Sequence, residues 1–168
     1  KQPLVITVLP GAFPAYDQQA APGMVRYMNA DIQPVHTSNV HFSISDQSNT
    51  ELEHAEVVIA AGKGIGKAEN LELIREMAAC FNRSAIAGSR VACDNGWLEY
   101  NAQVGLTGKK VSPQLYVACG ISGSMQHIAG MKDSKTVVSI NRDPDAAIFK
   151  NSDICIIEDL EKFIPAFI

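Results

Sequence analysis

The chain has 168 residues, a formal net charge of −4, and is 46% hydrophobic and 19% charged; that is enough chain for one domain with a real core. The acidic balance argues against nucleic acid as the main partner, because phosphate contacts need a basic face. No run reaches the roughly 18 consecutive apolar residues of a membrane-spanning helix. The four cysteines, at 80, 93, 119 and 155, make no C-x-x-C pair and have no closely spaced histidines beside them, so no metal site is expected.

In chain order, "LVITVL" (4–9) reads as a buried strand, and the Pro- and Gly-rich "PGAFPAYDQQAAPG" breaks it. Residues 36–50 alternate Val40, Phe42 and Ile44 with Ser, Asn and Thr, the pattern of an edge strand followed by a polar connector. Residues 1–50 are therefore expected to be the end of an α/β domain plus a connector. No signal or transit peptide is read at the start, and reduced, buried thiols point to a cytoplasmic or matrix-like compartment. Cys119 and Cys155 fall inside apolar strand-like runs and are expected to be buried.

From Thr50 the texture changes. "VVIAAG" (57–62) reads as a strand, and residues 68–81 place Leu71, Ile74, Met77, Ala78 and Phe81 on one helical stripe. Between them stands "GKGIGK" (62–67). Glycines there let backbone approach a phosphate at a helix start, although a plain tight turn explains them equally. Ala61 and Ala68 exclude a Walker A loop, and Lys67 occupies the third glycine position of G-x-G-x-x-G. "SAIAGS" (84–89) is a second strand with Arg90 at its end, and "QVGLTGK" (103–109) is a glycine-bounded loop bearing the hydroxyl of Thr107.

"QLYVACG" (114–120) is a third strand. It runs into "GISGSMQHIAG", where Ser122, Gly123, Ser124 and Met125 can present amides to an anion at the start of a short helix. Ser124 replaces the second glycine that a nucleophile elbow at Ser122 requires, which argues against esterase chemistry. "KTVVSI" (135–140) and "DICIIE" (153–158) are a fourth and a fifth strand. Asn141 and the Asp159–Leu160 pair stand at their carboxyl ends, and a terminal helix begins at "DLEKFIPAF". Strands alternating with helices predict a three-layer α/β domain over residues 51–168, with a mostly parallel sheet and helices on both faces. Such sheets bind ligands beyond the carboxyl ends of their strands. Polar groups at several of those ends suit a long, two-ended ligand such as a dinucleotide.

The run from "GSRVACDNGW" through "QVGLTGK", "GISGSMQHIAGMKDSK" and "VSINRDPDAAIF" resembles the carboxyl-terminal FAD-binding domain of electron transfer flavoprotein alpha subunits. The resemblance covers about 50–168 and implies a Rossmann-like, DHS-type fold holding FAD. It also implies a heterodimer with a beta subunit, in a protein that carries electrons from a dehydrogenase, as in fatty acid β-oxidation, to a quinone-linked or other redox acceptor rather than acting as an enzyme. A non-redox or NAD(P)-type nucleotide-binding module of the same fold is the alternative.

Residue by residue, the resemblance implies that Ser122, Gly123, Ser124, Met125 and Gln126 cradle the pyrophosphate. It places His127 at the flavin O2 side, Ser89 and Arg90 beside the ring system, and Thr107 near N5 on the loop of Gln103, Val104, Gly105 and Leu106. Asn141, Asp159 and Leu160 go to the adenosine end, and Lys63 to the Gly-rich turn. A cation such as Arg90 close to the ring would raise the flavin potential by on the order of 100 mV. Two residues depart from the family pattern. Lys63 replaces an Arg and loses its planar fork, and Leu106 replaces a Gln.

Overall fold

The computed structural model describes residues 50–168, together with the isolated positions Thr7 and Tyr27. The strands expected at 4–9 and 36–50, and the assignment of 1–50 to another domain, lie outside the described residues.

Five short strands form one sheet: β1 (Val57–Ala61), β2 (Ser84–Gly88), β3 (Leu115–Cys119), β4 (Thr136–Ile140) and β5 (Ile154–Ile156). Every pairing is parallel, and the order is β2-β1-β3-β4-β5. Alternate residues serve opposite faces. Val58 and Ala60 of β1 join Tyr116 and Ala118 of β3 in one core, while Ile59, Ala61, Val117 and Cys119 join the other.

Helices cover both faces, as expected. On the first face lie Leu52 of α1 (Thr50–His54), followed in sequence by α2 (Leu71–Ala79) on the second. The α2 stripe of Leu71, Ile74, Met77 and Ala78 packs there beside Ile164 of the terminal helix. Each such buried aliphatic side chain contributes about 1.5–3 kcal/mol relative to exposure. Phe81 lies past the end of α2, half-buried against the same core.

Three details differ from the sequence expectation. A five-residue helix, α3 (Arg90–Asp94), follows β2 directly, capped by Ser89, whose Oγ accepts from the Ala92 amide at 3.3 Å. Arg90 therefore opens a helix rather than ending a strand. Cys155 is exposed, not buried, because β5 is a three-residue edge strand with Ile154 and Cys155 turned to solvent; Cys80 is exposed as well. Cys93 and Cys119 are buried, and burial pushes the Cys119 thiol up to about 12, which leaves it protonated.

The strand order reverses direction between β1 and β3: from β1 the chain moves outward to β2, then returns to the other side. A crevice opens at such a switch point, beyond the carboxyl ends of the two strands. The loops that begin at Gly62 and Gly120 stand there.

Candidate functional site

The two switch-point loops meet backbone to backbone. Gly64 donates its amide to the Gly120 carbonyl at 2.8 Å, and Gly62 donates to Cys119 at 2.8 Å. A Cβ on Gly64 would fall 2.7 Å from Gly120 Cα, so side chains are excluded by the neighbouring loop. The amides of Ile65 and Gly66 turn back to Gly62 and Lys63 within a 3-10 turn, Lys63–Ile65. The glycines of "GKGIGK" thus serve loop-on-loop packing. That turn presents the exposed Lys63 side chain to the crevice rather than a set of open amides.

Open amides occur across the crevice. Helix α4 (Met125–Met131) starts after Ser124, whose Oγ and carbonyl both accept from the His127 amide. The amides of Ser122 to Gln126 find no acceptor among the described residues; for Ser124, Met125 and Gln126 that follows from the start of a helix, while Ser122 and Gly123 precede its cap. Gly123, at φ +90, is held against Ile148, where a Cβ would lie 2.2 Å from the Ile148 nitrogen. The Ser122 carbonyl accepts from the Ile148 amide at 3.0 Å, which fixes the approach to the helix.

His127, in the first turn of α4, is only 5% exposed. Its Nε2 lies 2.9 Å from the Tyr116 hydroxyl, and its Nδ1 is buried without a hydrogen-bond partner among the described residues. Burial lowers the ring's pKa to about 4; the Val104 backbone carbonyl acts the other way, although its geometry falls short of a hydrogen bond to Nδ1. The imidazole is neutral near pH 7 and can offer a hydrogen bond but not a charge.

The remaining wall comes from α3 and the 103–109 loop. The loop rests on α4 through the Leu106 amide, which donates to the Gln126 carbonyl at 2.7 Å. Buried Gln103 donates from Nε2 to Thr107 Oγ1 at 3.0 Å. Thr107 accepts that bond, so its own hydroxyl hydrogen remains available to a ligand. Arg90 is exposed and faces Asp94 at 3.5 Å, an ion pair that partly offsets its charge.

These parts enclose a cleft of about 460 Å³. Of the residues singled out in the sequence, Lys63, Ser89, Arg90, Gln103 to Thr107, Ser122, Ser124, Gln126, His127 and Asn141 line it. An adjoining cleft of about 300 Å³ shares Gly64, Gly120, Asn141 and Arg142 with the first and is bordered by Asp159 and Leu160. Gly123 and Met125 line neither cleft; Met125 is 80% exposed. Asn141 braces the β4 end: its Nδ2 donates to the Ile121 carbonyl and its Oδ1 accepts from the Asp143 amide. Asp159 caps the terminal helix α5 (Leu160–Phe167) through the Glu161 amide at 2.9 Å.

Residues 51–132 match the family model described as the electron transfer flavoprotein FAD-binding domain. Over these residues the chain is similar to the FAD-binding domain of electron transfer flavoprotein alpha subunits. The electron transfer flavoprotein subunit alpha of Thermoanaerobacterium thermosaccharolyticum is 40% identical over 171 residues, covering 100% of this chain and 52% of that protein. Protein FixB of Clostridium saccharobutylicum is 37% identical over 99% of the chain and 50% of its own length. The mitochondrial electron transfer flavoprotein subunit alpha of Dictyostelium discoideum is 43% identical over 73% of the chain and 34% of its own length. The chain thus spans about half the length of the relatives that it matches from end to end.

An FAD-binding domain needs an anion cradle and polar groups for the isoalloxazine edge. Ser122, Ser124 and Gln126, whose amides find no acceptor among the described residues, line one cleft together with the neutral ring of His127. Sequence reasoning passed over two participants. Arg142, an exposed cation lining both clefts, sits in an Asp-Pro turn that reads only as a turn. Tyr116 sits in mid-strand, and no local pattern ties its hydroxyl to a histidine eleven residues on.

Proposed function

We propose that this chain is the FAD-holding part of an electron transfer flavoprotein alpha subunit, which works with a beta subunit to pass electrons from a dehydrogenase to a quinone-linked or other redox acceptor. Bound FAD supplies the reversible electron chemistry. The protein binds it, orients it and sets its electrostatic surroundings. The carrying observation is that Ser122, Ser124 and Gln126, with amides left free, line one cleft with the neutral imidazole of His127.

In this reading the Ser122–Gln126 amides hold the pyrophosphate. Met125 and Gly123 contribute backbone alone, since their side positions face away from the cleft. Lys63 and Arg142 add positive charge along the floor. Thr107, its oxygen already engaged by Gln103, turns its hydroxyl hydrogen to the flavin, and Val104, Gly105 and Leu106 carry the loop that places it. Ser89 caps α3 and so aims Arg90 across the mouth. His127 offers a neutral donor at the O2 edge. Asn141, Asp159 and Leu160 shape the adjoining cleft for the adenosine end, and residues 51–168 act as one FAD domain. Lys63 in place of Arg gives up bidentate geometry and keeps the charge. Leu106 meets the helix through its backbone amide, so the change from Gln leaves that docking intact.

The working site is a bacterial cytoplasm or a mitochondrial matrix, the settings in which such carriers serve soluble dehydrogenases. The test is to co-express the full-length protein with its beta partner and identify the released chromophore. The expected result is a yellow complex releasing FAD in near-stoichiometric amount, reducible by a dehydrogenase. A colourless complex that takes up no FAD would overturn the proposal.

A further inference from the structure

We propose that Tyr116 is a positioning residue for His127: its phenol donates to Nε2 and keeps the imidazole hydrogen on Nδ1, buried in the cleft wall beside the Val104 backbone that carries the 103–109 loop. This rests on reading the cleft as the FAD site.

Tyr116 stands in β3, the central strand, and is fully buried. Its ring meets the His127 ring at 6.1 Å between centroids, tilted by 58°, and its hydroxyl lies 2.9 Å from Nε2. That pair can be joined in two ways. If Nε2 carried the hydrogen and donated to the phenol oxygen, the phenol's own hydrogen would need another acceptor, and none is found among the described residues. A buried donor left unmade costs about 1–3 kcal/mol. Nδ1 would then be a bare acceptor, unable to bond a carbonyl oxygen. If the phenol donates to Nε2, both of those atoms are satisfied and the remaining hydrogen, on buried Nδ1, can favour the Val104 carbonyl. Burial pushes the phenol's pKa well above its ordinary 10, so its hydrogen is always present to be given. A strand residue outside the cleft lining thereby fixes the tautomer of a histidine in the cleft wall, and with it the seating of the 103–109 loop.

The first arm of the test is nitrogen-15 NMR of the full-length protein freed of flavin, with the His127 signal assigned by its loss in His127→Gln. The Nδ1–H tautomer should dominate near pH 7; an Nε2–H form overturns the proposal. In the second arm Tyr116→Phe, which keeps the packed ring, should mix the two tautomers and weaken FAD binding by about five- to tenfold. An unchanged tautomer, with only a lower unfolding temperature, would mean that Tyr116 is structural and overturns the proposal too. The flavin-free arm stands apart from the FAD reading: failure of wild type to bind FAD defeats that reading without altering the tautomer result.

Discussion

Substituting His127 by Gln should change how folding depends on pH. The ring's pKa falls from 6.5 to about 4 on folding because it is buried. Between those values the unfolded chain binds a proton at this position and the folded chain does not. Protonation therefore favours the unfolded state as pH falls. The stabilisation is fully present above 6.5, declines through the window from 6.5 to 4, and is lost below it. At about 1.4 kcal/mol per unit the full difference is about 3 kcal/mol, of which about 2 kcal/mol is lost by pH 5. Gln keeps polar atoms near Tyr116 and does not titrate. Urea unfolding of both proteins at pH 7.5 and pH 5 isolates the effect, since the other three histidines are common to both. The wild type should lose about 2 kcal/mol more than the variant between the two pH values. An equal loss in both would mean that the folded ring is hydrated or charged, and the neutral-donor role would fall with it.

Three further outcomes follow from other parts of the cleft. Gly64→Ala puts a Cβ 2.7 Å from Gly120 backbone atoms; it should cost about 1–3 kcal/mol and lower the unfolding temperature by several degrees, whereas an unchanged melting curve refutes the close loop packing. Arg90→Ala should lower the flavin reduction potential by only tens of millivolts, because the side chain is 66% exposed and Asp94 stands 3.5 Å away. A redox titration identical to wild type removes Arg90 from the flavin's surroundings. Thr107→Ala should weaken FAD binding by about fivefold, the value of one hydrogen bond, read by flavin fluorescence; wild-type affinity would place that hydroxyl outside the site.

The sheet was legible in the sequence because its strands are short apolar runs, as in "VVIAAG" and "QLYVACG", separated by helical stripes of the Leu71–Ile74–Met77 kind. Chain order alone does not give the strand order: β1 stands between β2 and β3, a crossover set by tertiary packing. The five-residue α3 was not legible: its one strong signal, the Ser89 cap, needs no longer periodic pattern to act. The Gly-rich turn after β1 was read half correctly. Its glycines do mark a close backbone approach, but the approaching backbone is Gly120, more than fifty residues on, and that contact uses the amides a phosphate would need. The reverse holds at "GISGSMQH", where a short loop after β3 leads into a helix capped by Ser124, and the helix start leaves amides open. Cys155 was misplaced because apolar neighbours indicate a strand but not whether it is an edge. The Tyr116–His127 contact depends on which face α4 packs against, a tertiary fact without a local signature.

The placement of FAD is tested most directly at Ser122, an exposed side chain beside the open amides. Ser122→Glu sets a carboxylate where the pyrophosphate is proposed to lie and should leave folding intact, since negative charge is tolerated at a helix start. Equilibrium titration of the flavin-free full-length protein, complexed with its beta partner, should show FAD affinity reduced by about a hundredfold or more, with an unchanged unfolding temperature. Wild-type affinity in that variant would contradict the site.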